Sequence, residues 1–93
     1  MRAIEGDQLT GRLIKAARAL VGMSASDLAS ASGLNVITIK RAEAAAGVLA
    51  LRPATSDAII QALSAKGVRF IANGPDGSET GVVVTTKLPA GEA

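Results

Sequence analysis

The chain has 93 residues, 48% of them hydrophobic, with Phe70 as its single aromatic residue and a net charge of +2. That length fits one domain with a small core built from Ala, Leu, Ile and Val. Cys and His are both absent, which excludes disulfides, thiolate chemistry, thiol- or imidazole-bound metals and imidazole acid–base catalysis. Tyr is absent too and the acids are few and scattered, so neither an enzyme nor a cofactor is expected. No apolar run is long enough to span a membrane. The opening MRAIEGDQLTG carries no apolar signal stretch, so a cytoplasmic protein is expected.

Charge is distributed unevenly. Residues 8–72 carry eight basic side chains against three acidic ones, and the flanks are acidic. A basic central segment favours a polyanionic partner through counterion release. An ordinary solubilising surface explains the same excess.

Residues 1–7 read as a flexible lead-in. A first helix is predicted from about Gln8 to Val21, capped by Asp7 or Thr10, with Leu9, Leu13, Ala17 and Leu20 as its buried stripe. Arg12 and Lys15 point to solvent in that register, and Gly22 ends the helix. Ser24 caps a second helix over Ala25–Ser32, with Asp27 at the capping-box position. Leu28 and Ala29 form its buried side. Gly33 follows, where a left-handed backbone is inexpensive. Leu34 fills the corner. Asn35 caps a third helix over Val36–Ala45, with Ile39 at helical spacing inside it.

A fourth helix is predicted over Ser56–Lys66. Thr55 is its cap, and Ala58, Ile59, Ala62 and Leu63 are its inner stripe. Before it, Gly47 stops the third helix and residues 48–54 form a loop. After it, Gly67 is the C-cap. The period then changes. Val68–Ala72 and Gly81–Thr86 are β-prone and flank the turn-rich Asn73–Ser78, which predicts a hairpin. Such a hairpin is marginal alone. It must pack on the helices or pair with a second copy, so a homodimer through the C-terminal strands is one expectation. The resulting fold class is mostly α, with four helices and a small C-terminal β-hairpin. The organisation is 1–7 lead-in, 8–67 helical domain, 68–87 hairpin and 88–93 flexible tail.

The stretch Ser24–Glu43 has the steric pattern of a helix-turn-helix: small Ala29, turn Gly33, then apolar Leu34 and Ile39. With Leu28 and Glu43 at matching spacing, and Ala17–Ser24 as the lead-in, it resembles the helix-turn-helix of the XRE family of phage-repressor-like bacterial regulators. The resemblance covers about Gln8 to Ile71. It implies a four-helix repressor-like DNA-binding domain and a structural salt bridge between Arg18 and Glu43. Some positions depart from the family pattern. Ala25 stands where glutamine is common, Ala42 where a larger aliphatic is common, and Val36 and Ile37 where polar residues face the groove.

The second helix of such a motif enters the major groove by its N-terminal part. The candidate DNA-binding residues are therefore Asn35, Val36, Ile37, Thr38, Lys40 and Arg41. Arg12, Lys15 and Arg52 add phosphate contacts if they share that face. Asn35 can equally serve only as a cap, Thr38 can bond within its own helix, and Lys40 and Arg41 can be solvated charges. Two functions stand open. One is a transcriptional regulator reading operator DNA, with double-stranded DNA as its partner. The other is an antiactivator or antitoxin-like module whose apolar Val36 and Ile37 dock a protein such as a transcriptional activator.

Overall fold

A computed structural model of the chain describes residues 2–4, 8–45 and 52–85. Its elements in order are β1 (Arg2–Ala3), α1 (Gly11–Val21), α2 (Ala25–Ser32), α3 (Val36–Ala44), α4 (Pro53–Ser64), β2 (Val68–Asn73) and β3 (Glu79–Val84). The mostly-α class with a C-terminal hairpin is what the chain adopts. The Asp7 cap, the Gly47 stop, the 48–51 part of the loop, residues 86–87 of the hairpin and the 88–93 tail lie outside the described residues.

Each helix of the central motif is set by its own caps. The Thr10 hydroxyl accepts from the Leu13 N–H at 3.2 Å and starts α1. Ser24 and Asp27 form a reciprocal capping box, each side chain accepting from the other's backbone N–H at 3.0 Å. The Asn35 side chain accepts from the Ile37 N–H at 2.8 Å and starts α3. Between α2 and α3, Gly33 takes φ +72°, and the Leu34 N–H closes back onto the Ala29 carbonyl at 3.0 Å. A left-handed residue there turns the chain sharply enough for Leu34 to pack on the core.

Several boundaries and faces differ from expectation. Helix α1 begins at Gly11, three residues after Gln8, because Thr10 supplies the cap. Its buried side is Leu13, Ile14 and Ala17, while Leu20 is 55% exposed. The stripe thus passes through Ile14 instead of reaching Leu20. Both registers satisfy a helical period, and the packing partners choose between them. Helix α4 starts at Pro53 with Arg52 as N-cap and no side-chain cap bond. Proline suits the first helical position because its missing N–H would be unpaired there anyway. Thr55 is therefore inside the helix. At the other end Ala65, not Gly67, is the C-cap. Ala58 is only half-buried, whereas Ile59, Ala62 and Leu63 are buried.

The sheet holds three strands in the order β1-β2-β3, all antiparallel. In the hairpin Val68 pairs with Val84, Phe70 with Val82 and Ala72 with Thr80. Residues opposite each other share a face. Val68, Phe70 and Ala72 are buried, and Val82 and Val84 pack against the same core. Arg69 and Asn73 on the other face are exposed. The helices therefore cover one side of the sheet, with α1 against β2 and β3 and α4 against β2. Beyond the hairpin, Arg2–Ala3 pairs with Ala72 and Ile71, the Ile4 N–H donates to the Phe70 carbonyl at 2.9 Å, and Ile4 is buried. Part of the segment read as a lead-in is thus an edge strand with a core side chain.

The core joins Leu9, Leu13, Ile14 and Ala17 to Leu28, Ala29, Ile39, Ala42, Ile59, Leu63 and the buried face of the sheet. One approach is unusually close. A Cβ on Gly11 would collide with the Ala42 carbonyl oxygen and lie 2.8 Å from that of Glu43. The start of α1 therefore rests on the backbone at the end of α3. Ala42 is buried beside this approach.

Candidate nucleic-acid interface

Helix α3 packs on α2 and on α1 and buries Ile39 and Ala42. Those two positions define its inward side. The opposite side exposes Ile37, Lys40, Arg41 and Ala44, at offsets of three, four and seven residues from Ile37. Such offsets lie on one stripe of a helix. Among the described residues Lys40 and Arg41 form no ion pair, so both cations are available to an incoming anion.

The remaining candidates divide. Asn35 is exposed, but its carboxamide oxygen is committed to the Ile37 N–H. It is a helix cap whatever else it does. Thr38 is half-buried. Val36 is half-buried and packs against the core, so the pair of adjacent exposed β-branched residues expected from the sequence reduces to one. Ile37 alone stands out, with 54% of its surface exposed. Helical spacing carries the signal that separates them: Val36 stands three residues before buried Ile39, whereas Ile37 shares the stripe of Lys40 and Arg41.

The three outlying cations are all exposed. Arg12 lines a groove with Thr10, Leu13, Ala16, Ala45 and the Thr80–Val82 segment of β3. That location is the C-terminal end of α3, about 12 Å along its axis from Val36. Lys15 lies on the next turn of α1. Arg52 is the N-cap of α4, and no hydrogen bond or ion pair among the described residues joins it to α3. Arg12 is thus brought beside the end of α3, not its leading turn.

An ion pair behind the helix adds to the packing of Ile39 and Ala42. Arg18 donates from Nε to Glu43 Oε2 at 2.5 Å and from Nη2 to Oε1 at 2.7 Å. A third donor, Nη1, reaches the Met23 carbonyl at 2.9 Å. The guanidinium therefore ties together the last turn of α1, the link into α2 and the last turn of α3. Its forked geometry suits a carboxylate held by both oxygens. Little of either side chain reaches solvent, 17% for Arg18 and 9% for Glu43. The hydrogen bonds to Glu43 hold the Arg18 guanidinium above its ordinary value; burial opposes this and the carboxylate charge adds to it. A raised arginine keeps its contribution at every lower pH and loses it only on passing the raised value, so this half of the pair is no switch near neutrality.

Asp27, at the start of α2, is held below the ordinary aspartate range by the Ser24 N–H and then the Ser24 hydroxyl. A depressed carboxylate keeps its contribution above its unfolded value and loses it as pH falls through the folded one. Its negative charge also sits at a helix N-terminus, where it favours the helix but discourages a phosphate. The leading end of α2 is accordingly a poorer anion site than the outward side of α3.

No family model matches the chain, and no curated protein matches it in sequence. No helix among the described residues is long and apolar enough to cross a membrane.

Proposed function

We propose that the chain is a small bacterial transcriptional regulator of the XRE type, cytoplasmic and non-enzymatic, that binds operator DNA through the outward side of α3. The observation that carries this reading is the stripe Ile37–Lys40–Arg41–Ala44, exposed along a helix whose opposite side is locked onto α2 and α1. Two exposed cations on a firmly held helix suit phosphate contact, and an arginine can also fork onto guanine O6 and N7. The basic excess of residues 8–72 supports the same partner by lowering the cost of approach to a polyanion. The test is selection of duplexes from a random double-stranded pool by the purified full chain. An enriched motif bound in a salt-sensitive manner is expected. Recovery of no sequence above background removes the reading.

One observation favours a second reading. The exposed Ile37 lies where a groove-facing helix usually carries a polar group, and it could anchor a protein partner such as a transcriptional activator. In that case Ile37→Asp abolishes capture of the partner, while DNA binding is absent in the unmodified chain. Val36, packed on the core, contributes less to either surface than its position in the sequence implies. A homodimer through the C-terminal strands would give the regulator two matching half-sites.

A further inference from the structure

We infer that Ile37 is a specificity-determining residue that reads the methyl group of a thymine in the major groove. The inference rests on the DNA-binding reading and deepens it. It comes from what the leading turn of α3 has left to offer a base edge. The Asn35 carboxamide oxygen and the Ile37 N–H satisfy each other at 2.8 Å. Val36 faces the core, Thr38 is half-buried and Ile39 is fully buried. Two side chains are exposed at this turn: Asn35, which keeps its amide N–H groups, and Ile37, 54% exposed, which is the apolar one.

An isoleucine side chain neither donates nor accepts a hydrogen bond. Among the groups that base pairs present in the major groove, hydrogen-bond donors and acceptors would lose their water against it without compensation. The thymine C5-methyl is the exception, because it is apolar and gains by leaving water together with the isoleucine. Lys40 and Arg41 lie one turn further along the same exposed stripe. They put charge next to the apolar contact without surrounding it. The expected element of the recognised sequence is thus one thymine, required at one position, beside contacts that depend on salt.

The experiment takes the best duplex recovered from the random pool and replaces each thymine in turn by deoxyuridine, which removes only the methyl. For the unmodified chain, one replacement is expected to weaken binding about fourfold, corresponding to about 0.8 kcal/mol per buried carbon at 1.4 kcal/mol per tenfold. Ile37→Ala is expected to lose affinity for the thymine duplex and to be indifferent to the same replacement. Ile37→Val, which keeps a branched apolar tip, should retain part of the discrimination. Because Ile37 lies on the surface, circular dichroism of the variants should match the unmodified chain.

Salt-sensitive binding that ignores every replacement overturns the assignment of Ile37 and leaves the DNA-binding reading intact. Losses from Ile37→Ala and from deoxyuridine that simply add also overturn it, because they act independently. Recovery of no duplex overturns both.

Discussion

At the scale of single residues, the chain's most consequential pair is Arg18 with Glu43. The two lie 25 positions apart, and the guanidinium also bonds the Met23 carbonyl. Removing one partner leaves the other largely buried and uncompensated, which is costlier than never having had the pair. Arg18→Ala or Glu43→Gln should each destabilise the fold by about 3 kcal/mol, read from the urea midpoint at unchanged slope. The double substitution should cost less than the sum of the two. Additive losses would mean that the side chains act separately. Neither substitution alters the outward stripe of α3 directly, so any loss of partner binding should scale with loss of folded protein.

At the scale of elements, α3 is positioned by a close backbone approach as well as by buried bulk. Its inward side contributes Ile39 and the small Ala42. Gly11 lets α1 approach the Ala42 and Glu43 carbonyls, closer than any side-chain carbon could. Gly11→Ala should force the two helices apart and cost about 1–3 kcal/mol, the range for overpacking a site that cannot relax. A thermal melt shifted downward checks this, whereas an unchanged or raised melting point would show that the helices can slide. The substitution is informative because alanine would otherwise favour a helix.

At the scale of the whole molecule, a small core is shared between a helical layer and a three-stranded sheet. Ile4 ties the start of the chain to the hairpin, donating its N–H to Phe70 while its side chain is buried. Ile4→Ala should cost about 2–4 kcal/mol, and chemical denaturation should show the sheet and helices unfolding together. A cost less than half that amount would place β1 outside the cooperative unit.

Much of this architecture is legible in the residues. Caps at Ser24 and Asn35, the turn at Gly33 and the buried Leu28, Ala29 and Ile39 follow from local chemistry and spacing. Strand β1 is not legible, because two residues are too few to show an alternating pattern. Nor is the choice of Ile14 over Leu20, since both fit a helical period and only the facing layers distinguish them. Among candidate site residues, the outward placement of Lys40 and Arg41 is readable from their offset to Ile39. The division between packed Val36 and exposed Ile37 is readable in the same way, since Val36 stands three residues before buried Ile39 and Ile37 shares the offsets of Lys40 and Arg41.

Docking of the outward side of α3 on DNA is tested most directly by the salt dependence of duplex binding, measured for the unmodified chain and for Lys40→Ala and Arg41→Ala. Log K should fall linearly with log salt. Each substitution should weaken binding and reduce the slope by about one for each phosphate that it ceases to neutralise. Slopes identical to that of the unmodified chain in both variants, or no salt-sensitive binding to any duplex, would contradict a DNA-docking α3.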